Sequence, residues 1–385
     1  MKIFLLALSL SLSVQAAPEA SRFVSVNTSI LSSLRGIFQR PGKIKHADAE
    51  KTVMELSARE TETLSGAIHQ NLNRCGGFIS HDTLAEALTP RRFSFFNRRA
   101  PIDYSISKTS VLRSMVTQVS EVNIRRTIID LSSFETRFYK SDDGARTSEL
   151  VFNKWKDLSR GRSDIRVDYF VHQNFNQPSV IVTVRGSETP NEIVILGGHL
   201  DSISSTGEAP GADDNASGIG AVSEVLRLIV NHSHRPKKTI QFIAYAAEEV
   251  GLLGSNEIAK SYKKARRNVV GVLQLDMTLF KGTSNKDIVL ISDYTNRAQN
   301  EFLGKLIDEY VKVPWGYSRC GYGCSDHAAW DAQGYPASFS FESAFDDHNP
   351  HIHTPQDTLE NAGGDARHSV KFAKLALAFV VELAK

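Results

Sequence analysis

An α/β fold, with a mostly parallel mixed sheet sandwiched by helices, is predicted by three observations. Short apolar runs at 193–196, 239–246 and 269–275 read as strands buried on both faces. Stretches with apolar residues at helical spacing alternate with them, the order that lays parallel strands beneath helices. Polar residues gather immediately after the runs: His199 and Asp201 after the first, Glu248 and Glu249 after the second, Asp276 after the third. Ligands in such sheets bind outside the carboxyl ends of the strands, so these ends mark one crevice.

The chain of 385 residues is long enough for one large domain with an appendage. It is 41% apolar and 23% charged, an ordinary globular composition, and its net charge of +2 gives no reason to expect nucleic acid. Residues 1–17 join one lysine, a short apolar core and small residues at Val14, Ala16 and Ala17. That pattern predicts a signal peptide and therefore export; no other run is long and apolar enough for a membrane span.

Residues 18–107 are expected to form a small helical propeptide, with a helix over 48–64. They show no cluster of ligand-type residues. Through Ser105 there are 13 Lys/Arg against 9 Asp/Glu, so this front part is basic. Arg98-Arg99 followed by Pro101 predicts a protease-sensitive linker.

The second part spans 108–385. Ser120 caps a helix carrying Ile124, Ile128 and Leu131, and another helix covers 145–158. Strands follow at 165–172 and 179–185 around an Asn/Pro-rich turn. After the first apolar run, a Gly/Ser/Pro-rich loop delivers Asp213 and Asp214 at the mouth of a helix with Ile219, Val222, Leu226 and Ile229 on one face. A helix over 302–311, a strand over 337–341 and a closing helix over 367–383 complete the alternation.

Export makes the cysteines readable. Cys320 and Cys324 in C-G-Y-G-C suit a disulfide closing a very short loop, with zinc ligation as the competing reading. Cys75 then has no partner. So many carboxylates at strand ends require something positive among them. A histidine is wanted from the opposite side, and His348, His351 and His353 all qualify by spacing. Nitrogen and oxygen donors without thiolate suit zinc, with manganese or cobalt as the alternatives, and two metals sharing a bridging carboxylate would use this many ligands.

The strings GGHLDS, APGADDNASG, AYAAEEVGLLGS, LQLDMT, CGYGCSDH and NPHIHTPQDT together resemble the secreted bacterial leucyl aminopeptidases of the M28 zinc peptidase family. The resemblance spans 108–385 and is looser before it. It implies an M28-type catalytic domain holding two Zn2+, with Asp214 bridging, His199 and Asp276 on one ion, and Glu249 and His353 on the other. Glu248 would be the general base, Asp201 would orient His199, and Tyr322, held by a Cys320–Cys324 bridge, would assist the intermediate. Met277, Phe341, Phe345 and Ile352 match pocket positions for a large apolar side chain such as Leu or Phe, and His348 stands where relatives carry an aromatic residue. Asp213 would be a neighbour rather than a ligand, with Asp326 and His327 outside the catalytic set. The expected product is a secreted monomer that removes the N-terminal residue of peptides, after a processing protease removes the propeptide. Partners would be peptides with a free N-terminus, with no nucleic acid and no membrane. Another chemistry on the fold, such as a glutaminyl cyclase, and a binding protein are the rival readings.

Overall fold

The computed structural model describes residues 21–74, 76–89 and 102–385. The expected signal peptide, Cys75 and the expected linker at Arg98-Arg99-Pro101 lie outside the described residues.

The front part is not purely helical. It contains β1 (Arg22–Asn27), α1 (Thr28–Ser33), β2 (Ile44–Ala47), β3 (Lys51–Leu56), α2 (Ala58–Leu72), β4 (Phe78–His81) and α3 (Leu84–Leu88). Among its described residues four strands form an antiparallel sheet ordered β2-β3-β1-β4. The expected helix over 48–64 is thus a strand followed by a helix. Two causes set that boundary. β3 carries Thr52 and Val53, whose branched side chains suit a pleated strand, and it pairs along its length with β1. Ser57 and Glu60 then form a reciprocal capping box, satisfying the amides that open α2.

The second part begins with α4 (Ser110–Thr117), α5 (Glu121–Ser132) and α6 (Asp142–Leu158), followed by β5 (Ile165–Phe170), β6 (Ser179–Val184) and β7 (Thr189–His199). Then come α7 (Gly218–Asn231), β8 (Lys238–Tyr245), α8 (Leu253–Lys264), β9 (Asn268–Leu275), β10 (Ile288–Ile291) and α9 (Arg297–Leu306). β11 (Trp315–Ser318), α10 (His327–Ala332), β12 (Ala337–Phe341) and α11 (Arg367–Leu383) finish the chain. The expected helix over 302–311 is the end of α9 plus a wider turn over Ile307–Val311.

The large sheet has the order β11-β10-β12-β9-β7-β8-β6-β5. Its middle is parallel, with β12, β9, β7 and β8 side by side, while β6 and β5 run antiparallel at one edge. Alternate residues of β7 face opposite layers. Val194 and Leu196 join a core with α4, α5, α7, α9 and α11, whereas Ile193 and Ile195 pack with Ile258 of α8 and Trp330 of α10. Helices therefore cover both faces, as predicted, and β7 lies between β8 and β9 with all three carboxyl ends on one edge.

At the start of α11, burial holds His368 near a pKa of about 4, below its ordinary 6.5, with Lys371 adding to the effect. The unfolded chain takes up this proton below pH 6.5 and the folded chain does not. Stability therefore declines as pH falls from about 6.5 toward 4, by at most about 3 kcal/mol from this residue. Urea midpoints measured across that window should fall less steeply in His368→Gln than in the wild type.

Candidate metal centre

The glycines that precede His199 are there because neighbours approach the strand closely. A β-carbon on Gly197 would lie 2.3 Å from the Tyr245 ring, and one on Gly198 2.9 Å from the Leu275 carbonyl. β7 can thus sit tightly between its neighbours and present His199 at its end.

Two groups of buried donors meet in the crevice: His199, Asp214 and Asp276, and His69, Glu249 and His353. Asp214 stands between them. Its Oδ1 is 3.0 Å from His199 Nε2, and its Oδ2 is 3.0 Å from His353 Nε2. His199 Nε2 is also 3.2 Å from Asp276 Oδ1, and His353 Nε2 is 3.3 Å from Glu249 Oε2. Of the three histidines that qualify by spacing, His353, the one the resemblance implies, is the one in a donor group. His353 enters the centre, while His348 Nε2 faces the Asn73 carbonyl at 2.9 Å. His351 belongs to neither donor group.

The surrounding groups fix these donors. His199 Nδ1 lies 3.0 Å from the backbone carbonyl of Asp201 and 3.6 Å from its carboxylate. That carboxylate accepts the amides of Glu248 and Glu249 at 2.9 and 3.1 Å, so Asp201 aligns the end of β8 as well as the imidazole. Asp357 accepts the amides of Asp213 and Asp214, both at 3.0 Å. Ser325 donates to Asp276 at 2.6 Å. Asp213 turns away from the centre and accepts from Leu279 N and Asn349 Nδ2 at 2.9 and 3.1 Å. Asp326 accepts from Gln274 Nε2 at 2.9 Å, and His327 stacks on Phe339.

Sequence reasoning did not single out Arg137. It is fully buried and donates from Nε to Leu200 O at 2.8 Å, from Nη1 to Pro210 O and from Nη2 to Gly211 O at 2.9 Å. One guanidinium fork thus clamps the loop that carries Asp214. No periodicity or motif marks such a residue.

The electrostatics are those of a cation site. Burial alone would lower His353, yet Glu249 and Asp214 push it up to about 10. His199 is likewise raised well above its ordinary value against its burial, chiefly by Asp276. Burial, with Asp214 adding to it, raises Glu249 to about 7. Glu249 Oε1 and His353 Nδ1 are buried without a hydrogen-bond partner. Buried imidazole and carboxylate donors clustered in this way are the usual zinc set. The donors present therefore fit zinc.

Glu248 lies beside these groups, fully buried, with neither carboxylate oxygen hydrogen-bonded. Burial lifts it well above the usual carboxylate range; His199 opposes that and Glu249 reinforces it. Met277, Phe341, Phe345 and Ile352 line one pocket beside Asp276, together with Arg74, Cys324, Phe339 and His348. Cys320 and Cys324 are joined in a disulfide, and Tyr322 between them sets its ring edge-on to Phe345 at 5.9 Å.

The sequence profile of Peptidase family M28 matches residues 179–380, a stretch that carries all five expected ligands. The chain belongs to peptidase family M28. This M28 peptidase is 36% identical over 358 residues to leucine aminopeptidase 1 of Trichophyton rubrum, covering 88% of this chain and 94% of that one. It is 33% identical over 372 residues to leucine aminopeptidase 1 of Trichoderma harzianum, covering 92% of both. The LapA aminopeptidase of Legionella pneumophila superposes with a TM-score of 0.84 at 29% identity, over 95% of this chain and 99% of LapA. This M28 chain is a peptide hydrolase with the α/β fold of those aminopeptidases.

Substituting Asn for Asp201 removes the charge that aligns Glu248 and Glu249. Zinc affinity should fall on the order of 10–100-fold, the usual effect of losing a group that supports a ligand. Competition with a chromophoric chelator measures it.

Proposed function

We propose that this protein is a secreted dinuclear zinc aminopeptidase that removes a large hydrophobic residue, such as Leu or Phe, from the N-terminus of peptides. The observation that carries the reading is the pair of donor groups sharing Asp214, with Glu248 unpaired beside them. His199 and Asp276 would hold one ion, Glu249 and His353 the other, and Asp214 both. Bound zinc supplies a water pKa near 7 and polarisation of the scissile carbonyl.

The protein's own groups do the rest. Glu248 takes the proton of the attacking water and returns it to the leaving amine. Its two oxygens lack partners, so either is available for that transfer. Asp201 keeps Glu248 and Glu249 in register through their amides. The crevice is rich in carboxylates, which suits the charged α-amine of a substrate. The pocket of Met277, Phe341, Phe345 and Ile352 offers an apolar wall for the first side chain, and Tyr322 stands at its edge to donate a hydrogen bond to the developing oxyanion. Residues 1–17 would direct export, and 18–107 would be the propeptide removed by a processing protease.

The test compares leucine p-nitroanilide with its N-acetyl form, using protein freed of the front segment. Hydrolysis of the free amine alone, lost on chelation and restored by zinc, supports the reading. Equal hydrolysis of both substrates, or none by zinc-loaded protein, sinks it.

A further inference from the structure

His69 lies on α2, in the segment whose sequence showed no ligand cluster, yet the fold delivers it into the centre. Its ring stacks on His353 with centroids 4.0 Å apart, and its Nε2 is 3.5 Å from Glu249 Oε2. The residue is 5% exposed, and Nε2 has no hydrogen-bond partner.

Its tautomer follows from Ser65, one helical turn earlier. Ser65 Oγ donates its only proton to the Glu249 carbonyl at 2.6 Å. The same oxygen lies 3.4 Å from His69 Nδ1 and can only accept there, which places the ring proton on Nδ1. Nε2 is then a bare lone pair 3.5 Å from the Glu249 carboxylate, and it shares one buried donor group with Glu249 and His353. Donor atoms gathered this way suit a cation. A tetrahedral zinc with bonds of about 2.0–2.2 Å sets its ligand atoms roughly 3.3–3.6 Å apart. The distances from Glu249 Oε2 to His353 Nε2 and to His69 Nε2, 3.3 and 3.5 Å, fall in that range.

The same segment fills the neighbouring pocket. The Arg74 guanidinium lies over the Phe345 ring at 5.6 Å, and Asn73 carries the carbonyl that meets His348. Free space in the pocket is ≈ 10 Å³, room for about one water and far too little for a leucine side chain.

We propose that His69 is a third protein ligand of the zinc held by Glu249 and His353 for as long as the front segment stays attached. The segment then blocks the enzyme at the metal itself, by taking the position that water and substrate need, as well as at the pocket. This rests on the dinuclear zinc reading.

The experiment uses the uncleaved full chain as wild type, His69→Ala and His69→Phe; phenylalanine keeps a ring against His353 but offers no lone pair. Each is loaded with zinc to measure its loss to a chelator, and with cobalt to record the visible d–d spectrum. Both variants should lose one of two zinc ions on the order of 10–100-fold faster, with a changed cobalt spectrum. Two tightly bound ions and an unchanged spectrum in His69→Phe would overturn the ligand role while leaving the dinuclear centre standing. Failure of the wild type to bind two ions would overturn both.

Discussion

Glutamine at position 248 lowers kcat/KM for leucine p-nitroanilide on the order of 10²–10⁴-fold, the usual contribution of a positioned general base. The fall lies in kcat, because the amide keeps the size of the carboxylate and loses only its capacity to carry a proton. Zinc content stays at the wild-type value, since Glu248 belongs to neither donor group. Steady-state kinetics alongside metal analysis check both halves. A variant that keeps wild-type kcat would remove Glu248 from the chemistry.

Cutting the folded chain within 90–101 and separating the front segment raises hydrolysis of the same substrate about 100-fold or more. The reason is competition. Val24, Leu34, Leu64, Ile68 and Phe78 of the segment share one apolar core with Met277, Phe341, Phe345 and Ile352, the residues proposed to receive substrate. Asn27 also donates to the carbonyl of Gly321, within the disulfide turn beside Tyr322. Substrate can bind only in the fraction of molecules whose segment has lifted, and each 1.4 kcal/mol holding it down lowers apparent affinity about tenfold. Burial of several large apolar side chains makes that fraction small. Equal activity before and after separation would show that the segment does not occlude the site.

Much of this was legible in the chain because the information is local. Strand, loop and ligand follow one another within a few residues at His199, Glu248–Glu249 and Asp276, and a parallel sheet brings such ends together by its topology. Met277, Phe341, Phe345 and Ile352, the positions that the resemblance implies for a pocket, line one cavity. His69 and Arg137 were not legible. Each is a lone residue on an otherwise ordinary stretch, and only tertiary packing gives it a role. The front sheet was missed for a similar reason. β3 is six residues long and is held by pairing with β1, whereas the capping box at Ser57 and Glu60 was a local signal that could have placed the start of α2. Short β10 and β11, four residues each, likewise owe their form to neighbours.

Anomalous diffraction at the zinc edge, from crystals of the zinc-loaded uncleaved chain, tests the central claim most directly. Two peaks with Asp214 between them are predicted, one against His199 and Asp276 and the other against Glu249 and His353. A single peak, or peaks away from Asp214, would contradict the dinuclear centre on which the proposed chemistry depends.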